Sequence, residues 1–247
     1  MQGFDEARQA IASKFVAPNY TITKDHVFMQ HGGSLAIWMT AYLLADEGDN
    51  FLFPSPGFPL LLTIAKSMNI APRFYHLRPE QDWEANLEEM ESLIDEKTKF
   101  IYVNDPSNPL GSCWSVEHKQ DILGICKKHN LPLMADEIYE GVTYDKPVGT
   151  FADVSDGEVT IFKCSGLTKR WFGPGWRMGW LIVYGKENHI KNYLRGLKNI
   201  CNIVLMPHTV MQASVKDIIN NPENDADMKN KLEIMRKNQE MITNTLK

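Results

Sequence analysis

The chain has 247 residues, 43% of them apolar, 10% aromatic and 23% charged, the profile of a folded domain and not of a disordered or collagen-like chain. At this length roughly three quarters of the extended chain's surface can be buried, so a core forms without disulfide staples. Lys and Arg number 26 against 31 Asp and Glu, and the net charge of −5 offers no basic excess for nucleic-acid phosphates or anionic lipid.

The opening stretch, MQGFDEARQAIASKF, is polar and helical in period, with no apolar signal core. No run elsewhere approaches the ~18 apolar residues that span a bilayer. Residues 35–45 (LAIWMTAYLLA) are apolar nearly all round and predict a buried helix, with Gly32 and Gly33 before it and Ser34 as its N-cap. A strand is expected at Phe51 to Phe53, then the punctuated loop PSPGFP, then a helix from about Pro59, where proline suits the first turn. Arg73 to Leu77 reads as extended, and Glu84 to Ile94 carries Leu87, Met90, Leu93 and Ile94 at helical spacing.

Phe100 to Val103 is a short buried strand that runs into NDPSNPLG, a stretch no regular element tolerates. Ser115 opens a helix to about His129, and Leu131 to Ala135 makes the next strand, which puts Asp136 at a strand's carboxyl end. Val159 to Lys163 and Met178 to Tyr184 are further strands, joined by the glycine-rich, basic loop CSGLTKRWFGPGWR. Alternating strands and helices predict an α/β fold, a mostly parallel sheet covered by helices. After Pro222, Met228, Leu232, Met235, Ile242 and Leu246 share roughly one face of a long final helix. Nothing after it could cover that stripe, so the expectation is a chain cut short, with residues 1–221 as one large domain and 222–247 as the start of a linking helix.

The cysteines, Cys113, Cys126, Cys164 and Cys201, make no CxxC pair, which suits a reducing compartment, and the seven histidines show no HxxxH or HxH pairing for a metal. The cytoplasm is the expected location, with the mitochondrion left open. GxGxxG is absent, so the Gly-Gly-Ser turn is a poor dinucleotide signal.

Taken singly, Lys169 beside Arg170 is a solvated cation, Asp136 a helix cap, Tyr139 a packing residue and Asn108 a turn former. Trp171, Trp176 and Trp180 are as easily packing residues as platforms. Together, Asn108, Asp136, Lys169 and Arg177 fall at the ends of predicted strands, where open α/β sheets gather their ligands. An amide, a carboxylate, a phenol, a lysine and an arginine beside a helix N-terminus suit pyridoxal 5′-phosphate. Its phosphate would sit on the amides of Gly33, Ser34 and Leu35, with Arg177 as a forked cation. Asp136 would hold the ring nitrogen protonated, Tyr139 and Asn108 would bond the phenolic oxygen, and Phe58 would lie flat on the ring. Lys169 would form the Schiff base and later act as general base.

The motifs DPSNPLGS (105–112), ADEIYEG (135–141) and SGLTKRWFGPGWRMGW (165–180) resemble fold-type I pyridoxal-phosphate aminotransferases, nearest the tyrosine aminotransferase branch. The likeness extends through HGGSLA (31–36), FPSPGFPL (53–60) and LIDEKTKFIYVNDPSNP (93–109), and the spacings 108 to 136, 136 to 139 and 169 to 177 are those of the family's pocket. The resemblance implies a three-layer α/β/α large domain with a seven-stranded sheet, a homodimer, and amino transfer from an aromatic amino acid such as tyrosine to a 2-oxo acid such as 2-oxoglutarate. In such enzymes Asn108 would also reach the substrate carboxylate. Departures are Leu35, where the branch has Gln, and the lack of counterparts for the C-terminal small domain with its carboxylate-clamping arginine and for the pocket-closing N-terminal segment. Ser165 is a further candidate for phosphate contact. Other readings stay open: β-elimination or 1-aminocyclopropane-1-carboxylate formation, which share the Cα carbanion, or a non-catalytic cofactor-binding remnant or dimerising fragment.

Overall fold

The computed structural model describes residues 1–144 and 149–246. A first helix, α1 (Asp5–Lys14), leads to β1 (Val27–Gln30), α2 (Gly33–Leu44), β2 (Asn50–Ser55), α3 (Leu60–Met68), β3 (Ala71–Arg78) and β4 (Glu84–Ala85). There follow α4 (Leu87–Ser92), β5 (Thr98–Asn104), α5 (Val116–Lys128), β6 (Leu133–Asp136), α6 (Phe151–Val154), β7 (Ile161–Gly166) and β8 (Gly179–Tyr184). Three helices close the described chain: α7 (Glu187–Ile200), α8 (Thr209–Asn220) and α9 (Pro222–Leu246).

The strands form one sheet in the order β1-β8-β7-β6-β5-β2-β3-β4. β7, β6, β5, β2 and β3 run parallel. β8 is antiparallel to both β1 and β7, and the two-residue β4 pairs antiparallel at the far edge. The seven longer strands match the sheet that the resemblance implies, and β4 makes an eighth.

Helices cover both faces, which gives the expected three layers. On one face Ile101, Val103, Leu133, Ala135, Ile161 and Ile182 pack in a cluster with α1, α5 and α8 residues such as Ile11, Ile122 and Val215. On the other, Phe51, Phe53, Phe100, Tyr102, Met134 and Phe162 pack with residues of α2, α3 and α7. Strand alternation sorts neighbours between the two layers. Phe51 stacks on Phe100 at 4.9 Å and Phe53 on Tyr102 at 5.3 Å, an aromatic row across β2 and β5 that ends at the sheet's carboxyl edge.

Several expected boundaries move for local reasons. The buried helix begins earlier: Gly32, at φ 82, is the N-cap of α2, and Ser34 lies inside the first turn instead of capping it. A side chain at position 32 would need that rare φ and would put a Cβ 2.5 Å from an Arg177 guanidinium nitrogen. Glu84 and Ala85 form the edge strand, because Asn86 caps α4 by accepting the Glu89 amide hydrogen at 3.2 Å. β6 starts only after Pro132, which has no N–H for the ladder, and it extends to Asp136. Pro59 is the N-cap of α3 and not its first residue. The final helix runs unbroken over Pro222–Leu246, with Met228 buried and Ile234, Met241 and Ile242 exposed.

At β8 the backbone comes so close to the Gly32–Gly33 turn that a Cβ on Gly179 would overlap the carbonyl carbon of Gly32 and sit 2.6 Å from the nitrogen of Gly33. Gly179→Ala should therefore cost about 1–3 kcal/mol, the usual cost of overpacking. Urea unfolding of the two chains reads it, and an unchanged midpoint would disprove the tight approach.

Candidate active site

A cavity of about 200 Å³ opens at the carboxyl edge of the central strands. Of the ten residues named from the sequence, Ser165 is buried in β7 outside the lining, and Gly33, Ser34, Phe58, Asn108, Asp136, Tyr139, Lys169 and Arg177 line it. Leu35 does not, and its amide hydrogen is directed back to the Gly32 carbonyl at 3.3 Å. The lining comes from the start of α2, the ends of β5 and β6, the turn after β6, and the β2–α3, β5–α5 and β7–β8 connections, with Leu60 at the start of α3. Antiparallel β8 explains Arg177: it precedes a strand, yet β8 starts at the edge where β7 ends.

Register fixes the centre. Asn104 pairs with Asp136 and Asp136 with Cys164, so the ends of β5 and β6 share one rung with β7. The Asp136 carboxylate is buried; Tyr102 donates its hydroxyl to Oδ2 at 3.0 Å and the Ile138 amide donates to Oδ1 at 3.3 Å. Asn104 ties two walls together: its Nδ2 donates to the Asp136 carbonyl at 3.0 Å while its Oδ1 accepts the Asn108 amide hydrogen at 2.7 Å. Burial pushes the Asp136 carboxyl up to about 6, against the pull of Tyr102, the Ile138 amide and the Lys169 charge. The Lys169 ammonium lies 5.2 Å from the centroid of the Tyr139 ring. Lysine, phenol and carboxyl therefore form one electrostatic unit.

Arg177 donates to the Pro174 carbonyl at 3.1 Å and to the His31 carbonyl at 3.2 Å, which holds its guanidinium against the start of α2. A cation beside a helix N-terminus is unfavourable by itself, since both ends are positive. The pair suits a dianion. Asn104, Ile37, Leu60, Ile138 and Thr168 also line the cavity without having been named from the sequence, and Tyr102 supports it from below. The signal for Tyr102 and Asn104 is strand alternation, which puts both on the face of β5 that carries the rung.

A family model described as aminotransferase class I and II matches residues 1–247. The chain belongs to this family. It is 40% identical to tyrosine aminotransferase of Bos taurus over 219 residues, 88% of this chain and 49% of that protein. It is 39% identical to tyrosine aminotransferase of Homo sapiens over 222 residues, 88% of this chain and 48% of that one. Among solved structures, alanine aminotransferase from Pyrococcus furiosus superposes with a TM-score of 0.91 at 26% identity, covering 98% of this chain and 61% of that one. The chain spans about half the length of the curated relatives it matches.

Class I and II aminotransferases use pyridoxal 5′-phosphate, and the donor set of this chain fits it. The first turn of α2 and Arg177 suit the phosphate, the buried Asp136 carboxyl suits a protonated ring nitrogen, and Lys169 offers the amine.

The buried carboxyl also sets a pH dependence in the ligand-free chain. Its folded value, about 6, lies above the ordinary 3.8, so the folded chain binds that proton more tightly than the unfolded one. Stability should fall as pH rises from about 4 to about 6, by on the order of 3 kcal/mol. Burial pushes Glu137 up to about 7, which extends a decline of the same sign to higher pH. Asp136→Asn should flatten the lower part, read as urea midpoints against pH; an unaltered profile would refute the assignment.

Proposed function

We propose that the chain is the cofactor-holding part of an aminotransferase that moves the amino group of an aromatic amino acid, tyrosine first, to a 2-oxo acid such as 2-oxoglutarate. The observation that carries the reading is the meeting of Lys169, Asp136 and Tyr139 in one cavity with a helix N-terminus and Arg177. The substrate class rests on likeness to proteins named tyrosine aminotransferase.

When bound, pyridoxal phosphate supplies an aldehyde that condenses with amines and a ring that withdraws electrons from the substrate's α-carbon. Gly33 and Ser34 amides and the Arg177 guanidinium would hold the phosphate. Asp136 would keep a proton at the ring nitrogen, and a cation there would in turn hold Asp136 ionised. Tyr139 and Asn108 would donate to the phenolic oxygen, and Phe58, 38% exposed at the mouth, would cover the ring. The Lys169 amine would anchor the cofactor and, once released by the substrate's amine, would carry the proton at the α-carbon. A homodimer is part of the proposal, supported by the exposed Ile203, Leu205 and Val210 between α7 and the first turn of α8.

Incubation with pyridoxal 5′-phosphate, borohydride reduction and peptide mapping should place the added mass on Lys169, and Lys169→Ala should abolish it. Label on another lysine would refute the assignment. Tyrosine added to the loaded chain should lose its amino group; a chain that holds the cofactor yet leaves tyrosine unchanged favours the binding remnant.

A further inference from the structure

On the sheet face away from the cavity, Lys163 of β7 sits with its side chain only 1% exposed. Register places it there: Lys163 pairs with Ala135 and Ile182, whereas the next residue, Cys164, shares the rung of Asp136. Its ammonium lies 3.3 Å from Glu137 Oε2, 2.7 Å from Glu140 Oε2 and 5.0 Å from the centroid of the Phe15 ring.

Those two glutamates interleave with the two residues assigned to the cofactor ring. Along the turn after β6, Asp136 and Tyr139 line the cavity while Glu137 and Glu140 reach Lys163. Backbone bonds make the turn a unit: the Glu137 amide donates to the Cys164 carbonyl at 3.1 Å and the Glu140 amide to the Glu137 carbonyl at 3.0 Å. Glu137 is secured further, since its Oε1 accepts the Phe151 amide hydrogen at 2.8 Å.

We propose that Lys163 is a positioning residue for the cofactor ring: by gripping Glu137 and Glu140 from behind the sheet, it sets where Asp136 and Tyr139 stand in the cavity. This rests on the functional reading above. Without the ammonium, the buried Glu137 and the partly exposed Glu140 face each other as like charges in a cavity whose lining cations are Lys119 and Arg170. One carboxylate must then protonate or swing out, and the turn moves with it. A displacement of even about 1 Å at a site of this kind is felt strongly. The phosphate cup lies outside the unit, being built from α2 and the β7–β8 connection.

That separation gives the test. Pyridoxine 5′-phosphate carries the ring and phosphate but no aldehyde, so its affinity reads the two cups without any bond to Lys169; inorganic phosphate reads the phosphate cup alone. Titrations of the full 247-residue chain with both probes should show Lys163→Met binding inorganic phosphate as the parent does and pyridoxine 5′-phosphate about tenfold more weakly, the scale of one charge-assisted hydrogen bond. Glu140→Gln keeps the Lys163–Glu137 pair and should lose about threefold for pyridoxine 5′-phosphate alone; it decides the matter should Lys163→Met not fold. Equal losses for both probes, or none, would overturn the inference. A parent that holds pyridoxine 5′-phosphate no better than phosphate would overturn the functional reading first, and this one with it.

Discussion

A carboxylate buried at the end of β6 organises the molecule around it. Desolvation makes a lone charge there costly, and three features offset part of the cost: the Tyr102 hydroxyl, the Ile138 amide and the Lys169 charge. Each depends on strand register. Tyr102 reaches Asp136 because β5 and β6 are parallel with Asn104 opposite Asp136, and the stacked row behind Tyr102 leaves its ring no other place. The cavity is thereby polarised, with negative charge at the Asp136 end and positive charge where Arg177 meets α2. A ligand with a protonatable ring at one end and a phosphate at the other matches that polarity.

The second constraint is topological. Because β8 is antiparallel to β1 and β7, the β7–β8 connection stays at the carboxyl edge, so the loop that carries Lys169 also delivers Arg177 to the Gly32–Gly33 turn. The approach is close enough that glycine is required on both sides, at 32 and at 179. The phosphate cup is thus a product of sheet closure at that side. It owes little to the isolated sequence HGGS, which alone would be a weak signal.

Loops that bear chemistry were the most legible part of the sequence. Proline and glycine forbid regular structure at NDPSNPLG and LTKRWFGPGW, and a strand that ends in Asp marks the edge. Less legible were the groups that act from inside strands. FIYV reads as an apolar strand, so Tyr102 passes for core until the register shows its hydroxyl aimed at Asp136. Lys163 passes for a strand residue near a surface, since one sequence does not say which layer a strand's odd positions enter. β1, α7 and α8 lie outside the elements expected from the sequence: β1 is four residues long, and α7 and α8 follow the last of the strands that set the α/β alternation. Gly32 is hard to recognise as a cap because a capping side chain, here that of Ser34, is the stronger sequence signal.

Cofactor grip and substrate choice separate physically in this cavity. Its two lining cations are Lys169 and Arg177, and in the proposed function both would serve the cofactor, the one at the aldehyde and the other at the phosphate. A substrate carboxylate would then meet Asn108 from the lining, and any further cation that holds it must come from outside these walls. Groups placed outside the walls can change without disturbing register, rung or cup. The lining suits the cofactor, and under the proposed function selectivity among amino acids would rest on groups beyond that lining.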